Sequence, residues 1–232
     1  MTKDKLIFIF ARGGSKGIKN KNIYEIDKKP LIQYTIDIAK QICKDSDIFV
    51  SSDSKKIIDI AKKNNISHIK RPKNISGDNS IELDAWKHAI LYLNNKKKIQ
   101  FKKFISLPAT SPLRSVNDVK KCIKLLDKNT DIVVTVSNAK KSPWFNMLKA
   151  NSLGYFQLVN SKKYFFNRQE VPKVFDMTTV AYVSKPEYIM NTNHILKGKV
   201  KSLLIPEERS LDIDTIFDMK IAKMLIQNEK KY

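Results

Sequence analysis

Residues 6–22 decide the fold, and they read Leu6-Ile7-Phe8-Ile9-Phe10-Ala11-Arg12-Gly13-Gly14-Ser15-Lys16-Gly17-Ile18-Lys19-Asn20-Lys21-Asn22. The five consecutive apolar residues at the start predict a strand that is buried on both faces, as in a parallel sheet. Half of the chain's six glycines follow in one basic loop. Glycine lets the backbone approach a ligand closely, and open α/β sheets bind ligands beyond the carboxyl ends of their strands. The stretch therefore predicts an α/β protein that holds a polyphosphate in this loop.

The spacing of the three glycines matches neither of the two common phosphate-binding motifs. The P-loop needs Gly-x-x-x-x-Gly-Lys-Ser/Thr and the dinucleotide motif needs Gly-x-Gly-x-x-Gly. Here Gly13, Gly14 and Gly17 give Gly-Gly-x-x-Gly. A plain surface turn with solvated lysines is the alternative interpretation of the loop.

Strand and helix patterns alternate along most of the chain. Apolar, β-favouring runs predict further strands at residues 47–50, 66–70, 103–107, 132–136, 177–183 and 201–205. Helical spacing of apolar residues predicts helices at residues 31–42, 55–63, 81–93, 117–126, 186–190 and 215–227. This order predicts an α/β fold with a doubly wound, mostly parallel sheet.

The alternation breaks between residues 139 and 175, where aromatic and β-favouring runs are separated by short turns. Such a pattern predicts a small β-rich insertion. We therefore expect a core made of residues 1–138 and 176–232, with residues 139–175 forming an inserted lobe.

Two further motifs follow predicted strands. Residues 108–114, Pro-Ala-Thr-Ser-Pro-Leu-Arg, place hydroxyl groups and a rigid turn at the end of one strand. Asp212 and Asp214 flank a single isoleucine near the end of the chain. Residues two apart on an extended segment face the same side, so both carboxylates can point at one cation of the kind that prefers oxygen ligands, such as Mg²⁺. Alternatively, Asp212 or Asp214 caps the last helix, and Asp214 is the better placed of the two.

The composition limits the function classes. The formal net charge is +21, but the lysines are scattered along the chain and there is no recognisable nucleic-acid module, which disfavours nucleic acid as a partner. No apolar run approaches the roughly 18 residues of a membrane span, and the amino terminus lacks a signal-peptide pattern. Cys43 and Cys122 are isolated, as in a reducing compartment. We expect a cytoplasmic protein without a membrane partner.

The three motifs together resemble the CMP-sugar synthetases, that is, the acylneuraminate cytidylyltransferases and their relatives for legionaminic, pseudaminic and 3-deoxy-octulosonic acids. Residues 11–22 resemble that family's Ala-Arg-Gly/Ser-Gly-Ser-Lys-Gly-x-x-x-Lys-Asn, and residues 107–114 resemble its Leu-x-x-Thr-Ser-Pro-Leu-Arg. Residues 212–214 match its Asp-x-Asp. The resemblance implies a Rossmann-like nucleotidyltransferase fold with a dimerisation lobe, and Mg²⁺-dependent transfer of CMP from CTP to a 3-deoxy-2-keto sugar acid. Pro108 stands where sialic acid synthetases commonly have Gln, which disfavours N-acetylneuraminate itself.

The resemblance also implies roles for individual residues. Arg12 and Lys21 would neutralise the triphosphate, and Asp212 and Asp214 would hold Mg²⁺. The implied nucleotide-binding residues are Ala11, Arg12, Gly13, Gly14, Ser15, Lys21, Asn22, Arg71 and Ser80, with Asp53 as a further candidate nearby. The implied residues for the sugar acid are Thr110, Lys141, Arg168 and Gln169. Arg168 would act either in the site of its own subunit or in the site of the partner in a homodimer. Arg114 would either contact the ligand or only stabilise its own loop.

Two alternative functions remain open from the sequence. One is a nucleotidyltransferase of the same fold that uses another nucleotide or sugar, and the other is a basic nucleic-acid-binding protein. The sequence names neither the sugar acid nor a His or Glu general base.

Overall fold

The computed structural model describes residues 2–15, 17–78 and 80–229. The strands are β1 (Thr2–Phe10), β2 (Glu25–Ile26), β3 (Lys29–Pro30), β4 (Ile48–Ser52), β5 (Ser67–Lys70), β6 (Gln100–Ser106), β7 (Ile132–Asn138), β8 (Leu148–Ala150), β9 (Phe156–Leu158), β10 (Phe175–Ser184) and β11 (Val200–Leu204). The helices are α1 (Leu31–Lys40), α2 (Lys55–Lys63), α3 (Glu82–Tyr92), α4 (Val116–Leu125), α5 (Pro186–Asn191) and α6 (Ile216–Glu229).

Seven of these strands form one twisted sheet in the order β11-β7-β10-β6-β1-β4-β5. β10 runs antiparallel to β6 and β7, and the other neighbours are parallel. Ile7 of β1 pairs with Ile48 on one side and with Ile105 on the other. The mostly parallel sheet predicted from the sequence is confirmed.

Alternate residues of β1 enter two different cores, because successive side chains of a strand point to opposite faces. Ile7 and Ile9 belong to the cluster that includes residues of α1, α2 and α4. Phe8 belongs to the opposite cluster with α3 and α5, where its ring lies 4.7 Å from that of Phe104. Residues 6–9 are all at most 1% exposed. The strand is therefore buried on both faces as predicted, and helices cover both sides of the sheet.

The inserted lobe leaves the sheet after β7 and returns at β10. Its strands are the short antiparallel pair β8 and β9, and most of its side chains are exposed. The division into a core and a lobe stays a prediction. Across the described ranges, no helix is both long enough and apolar enough to cross a membrane.

A capping box at the start of α4 connects that helix to the segment that carries the aspartate pair. The Ser115 hydroxyl accepts from the Asp118 amide at 3.1 Å, and the Asp118 carboxylate accepts from the Ser115 amide at 3.0 Å. Arg209 donates to both oxygens of the same carboxylate, at 2.9 and 3.1 Å. Burial alone would raise the pKa of Asp118, but the bonds from Arg209 and Ser115 outweigh it and the pKa is lowered.

We expect Asp118→Asn to lower the free energy of unfolding by about 1–3 kcal/mol at neutral pH, because a charge-assisted pair is lost. The folded pKa lies below the ordinary value of 3.8, so the stabilisation is present above that pH and disappears as the pH falls through the folded pKa. Urea unfolding of both proteins between neutral pH and about pH 2 checks this. A wild-type advantage that stayed constant over the whole range would contradict it.

Candidate active site

A cavity of about 370 Å³ lies at the carboxyl ends of the central strands. It is lined by residues from the glycine-rich loop, from the segment between β5 and α3, from the loop after β6 and from the segment before α6. The predicted site residues on its wall are Arg12, Ser15, Lys21, Asn22, Arg71, Ser80, Thr110 and Asp214. This is the position at which an open α/β sheet binds its ligand.

Close contacts explain the glycines of the loop. The Gly13 amide donates to Asp53 at 2.8 Å, and a Cβ on Gly13 would lie 2.9 Å from the Cβ of Ser54. A Cβ on Gly17 would lie only 2.4 Å from the backbone oxygen of Asp214. The glycine-rich loop thus packs directly against the segment that carries Asp212 and Asp214. Asp53 stabilises the loop through the hydrogen bond from Gly13.

The remaining small residues of the loop differ in their surroundings. Ala11 is 1% exposed and its amide donates to the backbone oxygen of Ser51 at 3.1 Å. A Cβ on Gly14 would meet nothing within 4 Å. The cavity wall does not include Ala11, Gly13 or Gly14. These residues would therefore affect binding only through the backbone conformation of the loop.

Arg12 bridges two loops at the mouth of the cavity. Its Nη1 donates to the backbone oxygen of Gly77 at 3.0 Å and to the Asp78 carboxylate at 2.8 Å. Asp78 is half exposed and was not among the residues predicted for the site. A phosphate group would compete with this carboxylate for the same guanidinium, because both anions accept hydrogen bonds from its N–H groups.

Lys21 joins the glycine-rich loop to the aspartate pair. Its Nζ donates to the backbone oxygen of Ile213 at 2.6 Å and to the Asp214 carboxylate at 2.8 Å, and its side chain is only 13% exposed. Asn22, which is buried, donates to the backbone oxygen of Arg12 at 3.0 Å. A fixed ammonium group and a carboxylate therefore share one edge of the cavity.

Asp212 lies deeper than Asp214. Burial raises the pKa of Asp212 and the charge of Asp214 raises it further, against hydrogen bonds from Thr110 and Thr179. Its Oδ1 is buried and has no hydrogen-bond partner among the described residues. An unpaired buried carboxylate oxygen costs free energy that a bound cation would remove.

The two carboxylates fit a magnesium ion that is shared with substrate oxygens. The described part of the chain contains no cluster of three or more His, Cys, Asp or Glu side chains arranged for a metal. Mg²⁺ is commonly held by one or two carboxylates together with phosphates and water, so Asp212 and Asp214 suffice as the protein's share.

The alternative that Asp214 caps the last helix is wrong. The Asp218 carboxylate accepts from the Thr215 amide at 2.7 Å and from the Asp214 amide at 3.1 Å. Thr215 in turn accepts from the Asp218 amide at 3.2 Å. These contacts satisfy the amides at the start of α6 and leave the Asp214 carboxylate to Lys21.

Arg71 and Ser80 lie on the wall between β5 and α3. Arg71 is 8% exposed; its Nη2 donates to the backbone oxygen of Ser51 at 2.8 Å, and its guanidinium lies 5.7 Å from the centre of the Phe10 ring. Burial lowers its pKa, and the charges of Asp53 and Glu82 oppose that change. The capping position of α3 is Ile81, which makes no side-chain cap, so Ser80 does not act as the cap.

Arg114 holds its loop from inside the protein. It is 3% exposed, it is not on the cavity wall, and its Nη2 donates to the backbone oxygens of Pro108 and, at 3.4 Å, Thr179. Burial lowers its pKa to about 9, with the charge of Asp212 opposing. Of the two roles left open by the sequence, the structure supports the structural one.

Further polar side chains on the wall, among them Thr179 and Glu82, were not predicted from the sequence. The pairing of β10 with β7 shifts register between Thr178 and Val183, and Thr179 faces the cavity, where its hydroxyl lies 2.6 Å from that of Ser111. Glu82 opens α3, where an acidic residue is ordinarily explained by the helix dipole. No sequence signal marks the irregularity of β10, and an acidic residue in the first turn of a helix gives no sign of a cavity beside it.

The structure does not bring the sugar-acid residues of the lobe to Thr110. Lys141 and Arg168 line a separate cavity of about 190 Å³, where Arg168 donates to the backbone oxygen of Lys140 at 3.2 Å. Gln169 is exposed and lines neither cavity. Within one chain, only Thr110 of the four lies on the wall of the larger cavity.

Comparison with known proteins gives a consistent result. The chain is 32% identical over 227 residues to a post-translational flagellin modification protein B of Campylobacter coli, covering 97% of this chain and 95% of the relative. It is also 32% identical over 224 residues to a CMP-N,N'-diacetyllegionaminic acid synthase of Campylobacter jejuni, covering 95% and 94%.

Solved structures agree on the fold. A CMP:2-keto-3-deoxy-manno-octonic acid synthetase complexed with CTP superposes with a TM-score of 0.72 at 16% identity, covering 98% of this chain and 100% of that one. The sequence model of the cytidylyltransferase family matches residues 6–224. Because that match spans nearly the whole chain, this protein belongs to the cytidylyltransferase family.

Proposed function

We propose that the protein transfers CMP from CTP to the anomeric 2-hydroxyl of a sialic-acid-like 3-deoxy-2-keto sugar acid. The observation that carries the proposal is the contact of Lys21 with Asp214, which joins the basic loop and the acidic pair at one cavity. The name of the Campylobacter jejuni relative supports a legionaminic acid type of acceptor. Pro108, in place of the Gln common in sialic acid synthetases, also points away from N-acetylneuraminate.

The reaction forms one bond and breaks one. The sugar hydroxyl oxygen attacks the α-phosphorus of CTP, the bond from that phosphorus to the bridging oxygen breaks, and pyrophosphate leaves with the electron pair while the hydroxyl proton passes to solvent. Such transfers depend mainly on positioning and on charge stabilisation. Arg12 and Lys21 would neutralise the triphosphate, helped by Ser15 and the backbone amides of the loop. Asn22, Arg71 and Ser80 would contribute to the nucleoside end.

We propose Mg²⁺ as the cofactor, held by Asp212 and Asp214. The unpaired Oδ1 of Asp212 and its raised pKa support this assignment. Held by these two carboxylates, Mg²⁺ would supply positive charge that stabilises the charge developing during the transfer and lowers the pKa of the attacking hydroxyl. Lys21 already contacts Asp214 at 2.8 Å, so it would keep that carboxylate oriented toward the phosphates.

A homodimer is the assembly that we propose. The lobe and the adjoining start of β10 expose large apolar side chains, namely Met147, Leu148, Leu153, Tyr155, Phe156, Val159, Tyr164, Phe166, Phe175 and Met177. Apolar surface of this extent marks an interaction site on a soluble domain. Since Arg168 and Lys141 lie outside the cavity of their own chain, we propose that the lobe serves the site of the partner.

Mixed subunits test whether Arg168 acts in the partner's site. Asp212→Asn and Arg168→Ala subunits are each expected to be inactive alone. If Arg168 acts across the interface, co-expressed chains should recover about a quarter of the wild-type activity, because half of the dimers are mixed and each has one intact site. If the mixture stays inactive while light scattering shows a dimer, Arg168 acts in its own subunit.

The cytoplasm is the location that we propose. Cys43 and Cys122 are both free thiols, which supports a reducing compartment.

Pyrophosphate release from CTP and Mg²⁺ tests the function. The acceptors to compare are legionaminic, pseudaminic, N-acetylneuraminic and 3-deoxy-octulosonic acids. We expect release with one or more of the four, strongest with a legionaminic-type acid, and its abolition by EDTA. The proposal would be overturned if none of the four acids gave pyrophosphate release and CTP did not raise the melting temperature.

A further inference from the structure

The cavity has two chemically different ends. At one end, Lys21 and Asp214 present charges suited to phosphates and a metal ion. The wall formed between β5 and α3 instead combines apolar side chains with polar ones. Phe10, Ile75, Ile81 and Ala85 line the cavity there together with Arg71, Ser80 and Glu82. A ligand pocket with apolar walls and a few fixed polar groups is suited to a planar base.

Glu82 is an acidic side chain on that wall, and unlike Asp78, which pairs with Arg12, it contacts an aromatic side chain. Its Oε1 accepts from Nε1 of Trp86 at 3.2 Å. Trp86 is 1% exposed, and its ring lies 5.2 Å from that of Phe104 and 5.3 Å from that of Tyr182. Because the indole is fixed in the aromatic core, it fixes the direction of the Glu82 carboxylate.

The other carboxylate oxygen of Glu82 remains available to a ligand. Trp86 is the side chain that donates a hydrogen bond to Glu82, and Glu82 lines the cavity with its side chain exposed. The surrounding protein raises the pKa of Glu82 by desolvation, whereas the Trp86 bond and the charge of Arg71 favour the ionised form. A carboxylate whose direction is set by Trp86 is therefore presented to the cavity.

We infer that Glu82 selects the base of the nucleotide by accepting a hydrogen bond from the 4-amino group of cytosine. Carboxylates accept from this amino group in the recognition of cytosine. Uracil carries a carbonyl oxygen at the same position, which would face the carboxylate oxygen without a proton between them. The inference rests on the proposed function, since it takes CTP as the nucleotide, and it predicts that this chain binds UTP less tightly than CTP.

The test compares CTP with UTP for the wild type and Glu82→Gln. We expect the wild type to bind CTP at least about 10-fold more tightly than UTP in calorimetry without sugar acid. Glu82→Gln should weaken the binding of CTP about 10- to 100-fold. The affinity for UTP should stay the same or rise, because the glutamine amide can donate to the uracil carbonyl. Asp84→Asn is the matched control, since Asp84 is exposed in the same first turn of α3 and should keep the wild-type ratio.

The outcomes separate this inference from the proposed function. Equal loss for both nucleotides in Glu82→Gln, or a wild type that binds CTP and UTP alike, would overturn the role of Glu82. The wild-type comparison does not depend on the folding of any variant. If no sugar acid supported the release of pyrophosphate from CTP, the proposed reaction would be wrong. The nucleotide-binding measurements would still decide the role of Glu82.

Discussion

Asp212→Asn is expected to lower the rate of CMP transfer by about 100- to 1,000-fold, the range found when one group that stabilises developing charge is removed. Asp212 supplies a buried carboxylate oxygen that has no hydrogen-bond partner among the described residues, so we expect a bound metal ion to contact this carboxylate directly. Saturating Mg²⁺ should not restore the rate, because asparagine offers a neutral oxygen in place of the carboxylate.

The melting temperature of the same variant is a second measurement, and we expect it to stay the same or rise while the activity falls. The folded pKa of Asp212 is raised above its ordinary value, so above that pKa the ionised carboxylate destabilises the metal-free fold. Asp212→Asn should therefore melt at the same or a higher temperature than the wild type in EDTA. Asp127→Asn is the control, since Asp127 pairs with Lys201 away from the cavity and should keep full activity. Full activity of Asp212→Asn at limiting Mg²⁺ would exclude it as a ligand.

Gly17→Ala is expected to damage both the fold and the site. The added Cβ would lie 2.4 Å from the backbone oxygen of Asp214, a distance that forces one of the two segments to move. Overpacking of this kind costs about 1–3 kcal/mol, or roughly 2–12 °C in melting temperature for a chain of this size. A displacement of about 1 Å at Lys21 and Asp214 would lower the rate by roughly 100-fold.

Gly14→Ala provides the matched control for the stability effect. A Cβ there meets no atom within 4 Å, so the melting temperature should stay at the wild-type value. If the two alanine variants melted alike, the contact of Gly17 with Asp214 would not determine the position of the loop.

Local patterns were sufficient for most of the secondary structure and for eight residues that lie on the wall of the candidate cavity. The run of apolar residues from Leu6 to Phe10 has the composition of a doubly buried strand, and the predicted α2 matches the observed bounds, Lys55–Lys63. The order of strands and helices implied the sheet, because parallel neighbours require crossover connections. Some differences are at the ends of elements, since β6 begins at Gln100 instead of residue 103 and α6 continues to Glu229. The short strands β2 and β3 were not predicted.

The sequence by itself determined the fold class, the family and the three motifs, because spacing and turn chemistry are local properties that neighbouring residues encode. Only the tertiary structure decided that Lys21 contacts Asp214, that Glu82 and Thr179 face the cavity, and that Arg168 lies away from it. These relations join residues as far as 193 positions apart. They depend on the order of strands in the sheet, on a register shift and on packing distances, none of which leaves a periodic signal along the chain.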